Sequence, residues 1–177
     1  LQEIGEEIGG QVEIKGVGTT GSGRYLTADF VGADLVRNEI TAQATAAIYI
    51  DSKVDTIFEI GGQDSKYISV DDGVVVDFEM NKACAAGTGS FIDELAEQLG
   101  IHVQNGEFAN LAFNAPHTID LGARCAAFMG QAVASAQQEG VPIEVITASL
   151  ANSIAGNYLS KVLGNRKLGN KVILTGA

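Results

Sequence analysis

Two glycine-rich turns within one stretch, from Phe58 to Leu99, constrain the fold of this chain more than any other feature of its sequence. The stretch reads FEIGGQDSKYISVDDGVVVDFEMNKACAAGTGSFIDELAEQL. Its first turn follows an apolar run typical of a β-strand, and its second leads into an amphipathic helix. Since glycine has no Cβ, the backbone of such a turn can approach a ligand closely. The pattern predicts strands and a helix joined by two ligand-type turns.

The first turn, Gly61-Gly62, ends a predicted strand from Thr56 to Ile60 and is followed by four polar side chains. These supply an amide, a carboxylate, a hydroxyl and an ammonium group, carried by Gln63, Asp64, Ser65 and Lys66. Such a set can position an attacking water, hold Mg²⁺ through water and contact a phosphate. The pattern predicts a nucleotide site, with a solvated β-turn as the alternative interpretation.

The second turn places Cys84 among alanines ahead of a predicted helix. Ser90 and Asp93 have the S-x-x-D spacing that caps a helix start, and Gly100 is expected to end the helix. A ligand beside Cys84 would face free N–H groups and the positive end of the helix dipole, which favour an anion or a negatively charged cluster. A buried packing cysteine is the alternative for this residue alone.

Cys125 repeats this arrangement, since it follows Gly122 and precedes a predicted helix from Ala126 to Gln138. Two thiols at helix starts are what an iron–sulfur cluster needs. A cluster with four thiolate ligands requires four cysteines, and this chain has two. A cluster would therefore be shared across a two-fold dimer.

The rest of the chain alternates between predicted strands and helices. Predicted strands cover residues 12–17, 67–70, 74–78 and 171–174, with a hairpin turn at residues 71–73. Predicted helices cover residues 1–8, 34–50 with Asp34 as N-cap, 107–113 and 142–163. The glycine-rich loop from Gly16 to Arg24 is expected either to cradle an anion through its N–H groups or to be a flexible connection.

Composition argues against several classes of protein. The 177 residues suffice for one domain or two small lobes. A formal net charge of −11 disfavours binding to nucleic acid or to anionic membranes. The sequence has no apolar run of about 18 residues and no signal-peptide pattern at its start, so we expect a cytoplasmic protein. Its two histidines have no partners at ligand spacing, so a zinc site within one chain is not expected.

Four motifs resemble a known family. They are IGGQDSK at residues 60–66, MNKACAAGTGSF at 80–91, GARCAAFM at 122–129 and LTG at 174–176. In sequence and in order they are similar to the activators of 2-hydroxyacyl-CoA dehydratases and the ATPase subunits of benzoyl-CoA reductases. The resemblance is closest to the long, multidomain activase-like members.

The resemblance implies an α/β fold, the ribonuclease-H-like ATPase fold of actin, Hsp70 and sugar kinases. It implies that Gly61 to Lys66 form the second phosphate motif for ATP or ADP with Mg²⁺, in which Gln63 and Asp64 are the catalytic residues. Thr175-Gly176 align with the start of the adenosine motif.

The resemblance also implies a homodimer with one bridging [4Fe-4S] cluster, and Cys84 and Cys125 align with the two ligands of each protomer. ATP hydrolysis in such proteins drives one low-potential electron to a partner dehydratase or reductase, with reduced ferredoxin or flavodoxin as the implied donor. Gln43 stands where we expect His or Cys, and Gly130-Gln131 where we expect an acidic residue and Ser. These departures concern partner docking or cluster tuning.

Parts of the expected ATPase domain are not in the sequence. No Asp-x-Gly-Ser/Thr phosphate hairpin precedes Gly16, and the adenosine turn is cut at Ala177. We therefore expect residues 1–177 to be the central part of an actin-like ATPase domain, with a cluster-binding helical part around residues 80–140. The alternative functions are a small-molecule kinase of the same superfold and a noncatalytic iron–sulfur redox-sensing dimerisation domain.

Overall fold

Helices and strands alternate along the chain in a computed structural model, which describes residues 13–81, 88–121 and 126–176. The strands are β1 (Gly18–Thr19), β2 (Leu35–Val36), β3 (Thr56–Ile60), β4 (Ser65–Asp71), β5 (Val74–Met80) and β6 (Val172–Gly176). The α-helices are α1 (Arg24–Val31), α2 (Glu39–Ile50), α3 (Gly89–Leu99), α4 (Glu107–Asn114), α5 (Ala126–Gln138) and α6 (Ile143–Asn157), and a π-helix follows at Tyr158–Leu163. The predicted helix over residues 1–8 lies outside the described residues. None of the described helices combines the length and the apolar character that crossing a bilayer requires.

A four-stranded mixed sheet has the order β5-β4-β3-β6. The pairs β3–β4 and β4–β5 are antiparallel, whereas β3–β6 is parallel. Asp72 and Gly73, with φ angles of 47° and 75°, form the tight turn between β4 and β5, which confirms the predicted hairpin. Because β3 and β6 run in the same direction, their last residues, Ile60 and Gly176, pair at one end of the sheet.

Helical elements cover both faces of this sheet. Ile57 of β3 and Ile68 of β4, both fully buried, belong to one apolar cluster with Ala44 of α2. Tyr67 of β4 belongs to a second cluster with Tyr158 and other apolar residues of the π-helix. Successive residues of a strand point to opposite faces, so β3 and β4 supply side chains to both clusters. The two central strands are thereby fixed between α2 and the π-helix.

The remaining helices have a core of their own. Phe91 and Leu95 of α3, Met129 of α5, and Ile146 and Leu150 of α6 belong to one cluster, and each is at most 2% exposed. Residues three or four positions apart lie on the same face of a helix, which explains the spacing of these pairs. Helix α3 is therefore firmly packed along its length.

The predicted helix over residues 142–163 consists of two elements in the structure. It is α-helical to Asn157 and π-helical from Tyr158 to Leu163. In this register the Tyr158 hydroxyl donates to the carbonyl oxygen of Lys66 at 2.8 Å. A π-helix is rare and occurs mostly as a single turn within an α-helix. Hydrophobic spacing alone therefore did not reveal the change.

The predicted helix from Asp34 to Ile50 begins at Glu39 instead. Asn38 is its N-cap, since the Asn38 side chain accepts a hydrogen bond from the Ile40 N–H at 2.8 Å. The Asp34 carboxylate accepts from the Val17 N–H at 2.8 Å and does not cap the helix. The assignment of Asp34 as N-cap was wrong because a nearer asparagine makes that bond.

The segment from Gly16 to Arg24, predicted as a loop, contains β1 and the first residue of α1. Residues 13–17, predicted as part of a strand, are not in a strand. The strand begins at Gly18, which pairs with Leu35, the first residue of β2. Residues 20–23 are thus a short loop held at both ends by regular structure.

Candidate functional site

A cavity of about 420 Å³ lies beside the β3–β4 turn. Its volume is within the range of small-molecule sites, roughly 300–1,000 Å³. Three parts of the chain line it, namely the β1–α1 loop, α2 and the β3–β4 turn. The lining residues include Thr20, Gly21 and Ser22 of the loop, Glu39 and Gln43 of α2, and Glu59, Asp64 and Lys66 around the turn. The cavity thus brings the glycine-rich loop together with the predicted phosphate turn.

A buried ion pair forms the sheet side of the cavity. Glu59 and Lys66 are directly opposite each other on β3 and β4. The Lys66 Nζ lies 2.8 Å from Glu59 Oε2, and the two side chains are 7% and 8% exposed. Glu59 was not among the predicted site residues. The sequence does show a single carboxylate within an apolar strand. Because buried carboxylates are rare unless they are paired, this residue could have been predicted to have a partner.

Gly61 makes room for the Glu59 carboxylate. A Cβ at Gly61 would lie 2.6 Å from Glu59 Oε1 and 3.0 Å from the Asp64 carbonyl oxygen. The Gly61 N–H donates to that same carbonyl at 2.9 Å, which closes the turn. A Cβ at Gly62 would lie 3.9 Å from Ser90 Oγ, an ordinary contact. The close approach of the Glu59 carboxylate therefore requires glycine at position 61 but not at position 62.

The four polar residues predicted at the turn do not all line the cavity. Asp64 and Lys66 line the cavity, whereas Gln63 is exposed and is not among the lining residues. Ser65 is fully buried, and its N–H donates to Asn81 Oδ1 at 2.8 Å. Within the described parts of the chain, Asp64 makes no ion pair. Its carboxylate is therefore the acidic group of the turn that a cation in the cavity would meet.

Tyr158 supports the turn from the other face of the sheet. Its hydroxyl donates to the backbone carbonyl of Lys66, the residue that carries the ammonium group. Burial raises the pKa of Tyr158, and the nearby Glu59 carboxylate and Tyr67 raise it further. The hydroxyl therefore keeps its proton and remains a hydrogen-bond donor.

Thr175 and Gly176 lie at the same end of the sheet as the turn. Thr175 is paired with Glu59, and Gly176 with Ile60. Gly176 has a φ of 139°, and a Cβ there would overlap the Ile60 carbonyl oxygen, so only glycine fits. The Thr175 hydroxyl oxygen is buried and has no hydrogen-bond partner within the described residues. Leaving a buried polar group unsatisfied costs about 1–3 kcal/mol, so a polar ligand atom or a water here would be favoured.

The Gly61-Gly62 turn meets the start of α3, where the second glycine-rich stretch ends. The Gly89 N–H donates to the Gly61 carbonyl at 2.9 Å, and the Ser90 N–H donates to the Gly62 carbonyl at 2.8 Å. The Ser90 hydroxyl also donates to the Gly62 carbonyl. The first N–H groups of a helix need acceptors from outside the helix. The β3–β4 turn supplies them to α3.

The S-x-x-D cap predicted from Ser90 and Asp93 was therefore wrong. The N-cap of α3 is Thr88, whose side chain makes no capping hydrogen bond, and the helix begins at Gly89. Carbonyl groups from a turn distant in sequence take the place of the expected local cap. Such a partner leaves no signal in the sequence around the helix start.

Glu39 and Gln43 of α2 also line the cavity, and Arg24, which is not itself a lining residue, forms an ion pair with Glu39. The Arg24 Nη1 lies 2.9 Å from Glu39 Oε2 and 2.9 Å from the carbonyl oxygen of Gly21. Neither Arg24 nor Glu39 was predicted as a site residue, because both are far in sequence from the β3–β4 turn. Gln43, one of the departures from the expected family pattern, proves to be a lining residue.

The predicted cluster ligands, Cys84 and Cys125, lie outside the described residues. The described helix α5 begins at Ala126, directly after Cys125. Helix α3 begins at Gly89, five positions after Cys84. The roles of both thiols as cluster ligands therefore remain predictions.

Solved structures of two activators share this fold. The activator of 2-hydroxyisocaproyl-CoA dehydratase from Clostridium difficile, solved with bound ADPNP, matches with a TM-score of 0.89 and 30% identity, covering 99% of this chain and 64% of that one. Component A of (R)-2-hydroxyglutaryl-CoA dehydratase from Acidaminococcus fermentans matches with a TM-score of 0.84 and 30% identity, covering 92% of this chain and 61% of that one. These matches confirm the expected actin-like ATPase fold.

The sequence matches point to the same group of proteins. The 2-hydroxyisocaproyl-CoA dehydratase activator of Clostridioides difficile is 34% identical over 151 residues, which are 85% of this chain and 55% of the activator. The chain thus spans between 55% and 64% of the length of the two activators in these comparisons. The family model of the BadF/BadG/BcrA/BcrD ATPases matches residues 1–177, and the chain belongs to this ATPase family.

Proposed function

We propose that this chain is the central part of an ATP-dependent reductive activator, which donates a low-potential electron to a 2-hydroxyacyl-CoA dehydratase or a benzoyl-CoA reductase type partner. The observation that carries the proposal is the contact between the Gly61-Gly62 turn and the start of α3. The Gly61-Gly62 turn at the cavity accepts hydrogen bonds from the start of α3, the helix that follows Cys84. Family membership supports the ATPase part of the proposal, and the activators among the relatives support its activator part.

ATP or ADP with Mg²⁺ is the proposed ligand of the cavity. Asp64 would hold the metal through water, and Lys66, kept in place by its ion pair with Glu59, would donate a hydrogen bond to the phosphates. Gln63, at the exposed tip of the turn, would orient the attacking water. Thr175 would begin the adenosine-binding turn, and its unpartnered hydroxyl fits a polar ligand at this end of the sheet. In this arrangement the phosphates lie between the turn and the β1–α1 loop.

Nucleotide state would reach the helical part of the molecule through α3. Two backbone hydrogen bonds and one from a hydroxyl join the turn to the first residues of this helix. Phe91 and Leu95 fix the helix in its core at 1% and 2% exposure, so it would move as one rigid element. A shift of the turn would therefore displace the segment before α3, which contains Cys84.

Cys84 and Cys125 are the proposed ligands of a [4Fe-4S] cluster shared by the two protomers of a homodimer. Two cysteines per chain provide four thiolates in a two-fold dimer, which is the donor set of such a cluster. When bound, the cluster supplies one-electron transfer at low potential. Reduced ferredoxin or flavodoxin is the proposed electron donor.

The test is an assay of the full-length protein that contains this chain, purified and reduced without oxygen. We expect release of inorganic phosphate from ATP, and ATP-dependent loss of the reduced cluster's EPR signal when a dehydratase of this type is added. Cys84→Ser should abolish the electron transfer while phosphate release continues. Transfer of phosphate to a small molecule, in a protein without iron, would instead favour the kinase alternative. Iron without ATP hydrolysis would favour the redox sensor.

A further inference from the structure

We propose that Arg24 is a positioning residue for the nucleotide, because it fixes residues 20–22 as the wall of the cavity opposite the Glu59–Lys66 pair. The inference rests on the proposed nucleotide function of this cavity. It starts from one nitrogen atom, the Arg24 Nη1, which lies 2.9 Å from the Gly21 carbonyl oxygen and 2.9 Å from Glu39 Oε2. One side chain therefore joins the loop to helix α2.

The first of these contacts closes the loop on itself. The Arg24 N–H reaches the Gly21 carbonyl at 3.3 Å, and the Thr19 hydroxyl donates to the Arg24 carbonyl at 2.9 Å. Gly21 has a φ of 85°, a value that side-chain-bearing residues rarely adopt. The loop is thus a defined turn whose carbonyl at Gly21 points to the guanidinium group.

The second contact attaches this turn to a fixed part of the molecule. Glu39 is the first residue of α2, and the following Ile40 and Ala44 are buried in the sheet core at 8% and 2% exposure. Helix α1, which begins at Arg24, buries none of its own side chains. Apolar packing therefore does little to hold α1 and the loop before it. The ion pair joins this loosely packed segment to the well-packed α2.

The geometry favours a strong contact over an ordinary surface pair. The Arg24 and Glu39 side chains are 21% and 22% exposed, so water screens them only in part. The hydrogen bonds that a guanidinium donates to a carboxylate are charge-assisted, and Arg keeps its charge at any pH of interest. The pair therefore persists under the conditions in which a nucleotide would bind.

The pair also controls the charge that a phosphate would meet. Glu39, Glu59 and Asp64 all line the cavity. Lys66 neutralises Glu59, and Arg24 neutralises Glu39. Without Arg24 the loop would be released and the Glu39 carboxylate would repel the phosphates. Without Glu39 the loop would also be released, but no unpaired carboxylate would be added to that of Asp64.

This asymmetry defines the test, which uses the full-length protein and MgADP as the probe. Arg24→Ala should weaken MgADP binding about tenfold, the loss of one charge-assisted contact of about 1.4 kcal/mol. Glu39→Ala should weaken it about threefold, and adding Glu39→Ala to Arg24→Ala should recover part of the affinity. The amides of residues 20–23 should exchange faster in all three variants. Arg37→Ala is the matched control, since Arg37 is exposed and its side chain donates to the neighbouring Val36 carbonyl rather than to the loop or to Glu39.

The outcomes separate this inference from the proposed function. In one outcome, MgADP protects the amides of residues 61–66 from hydrogen exchange, but Arg24→Ala has the MgADP affinity and the amide exchange rates of the wild type. That result overturns the positioning role. The positioning role is also overturned if the losses of MgADP affinity in Arg24→Ala and Glu39→Ala multiply in the double variant. A wild-type protein in which MgADP protects neither segment overturns the nucleotide proposal itself. Partial recovery of affinity by Arg24→Lys would support the inference, because lysine restores the charge without the planar fork.

Discussion

Replacing Gly61 with alanine tests whether the Glu59 carboxylate needs the space beside the turn. The new Cβ would lie 2.6 Å from Glu59 Oε1, so the carboxylate must move away from its place 2.8 Å from the Lys66 ammonium. Removing one partner of a buried ion pair costs roughly 3–5 kcal/mol. Displacing the carboxylate weakens the pair without removing it, so we expect a loss of about 2–3 kcal/mol in the free energy of unfolding. For a chain of this size that corresponds to about 4–12 °C in the unfolding temperature.

Denaturant and thermal unfolding of Gly61→Ala and Gly62→Ala, side by side, measure this effect. Gly62→Ala is the matched control, because its Cβ would lie no closer than 3.9 Å to its nearest neighbour, Ser90 Oγ, and should change stability by less than about 0.5 kcal/mol. In a Glu59→Ala background the cost of Gly61→Ala should fall below about 1 kcal/mol, since the carboxylate in its way is gone. Equal costs for the two glycine substitutions, or an unchanged cost in that background, would refute the reasoning.

Three further substitutions test other parts of the account. Tyr158→Phe removes the donor to the Lys66 carbonyl and should lower the free energy of unfolding by about 1–2 kcal/mol in denaturant melts. Gln63→Ala in the full-length protein should lower kcat for ATP hydrolysis more than it raises KM, because water positioning matters mainly in the transition state; steady-state kinetics measure both. Burial alone would raise the pKa of Asp55, but backbone N–H donors, including that of Asn170 at 2.7 Å, lower it below the ordinary 3.8. Its stabilising contribution is complete above that value and is lost as the pH falls through the folded-state pKa, so Asp55→Asn should flatten the decline of stability below about pH 4.

The local sequence was sufficient to predict those elements that have start and stop signals within a few residues of their ends. The strand Thr56–Ile60 is an apolar run ended by Gly61-Gly62, and its observed bounds are those predicted. The hairpin at Asp72-Gly73 follows from two residues that tolerate positive φ. These features depend on neighbours within a few positions, which a sequence displays directly.

Prediction failed where the deciding partner is distant in sequence. The cap of α3 comes from the Gly61 and Gly62 carbonyls, so the local S-x-x-D pattern was misleading. The cavity wall at Glu39 depends on an arginine in another element. Glu59 is a different case, because antiparallel pairing across the short turn at residues 61–64 places it opposite Lys66. A carboxylate and an ammonium group at paired positions of two buried strands indicate a buried ion pair.

Iron and acid-labile sulfide per protomer, measured after strictly anaerobic purification and reconstitution of the full-length protein, decide whether the protein binds the bridging cluster. A bridging four-iron cluster predicts about two irons per protomer in a dimer, with the visible and EPR spectra of a [4Fe-4S] centre. Replacing Cys84 or Cys125 with serine should abolish the iron while the protein stays folded. A folded, colourless dimer without iron, or full iron content in either serine variant, would contradict the proposed activator.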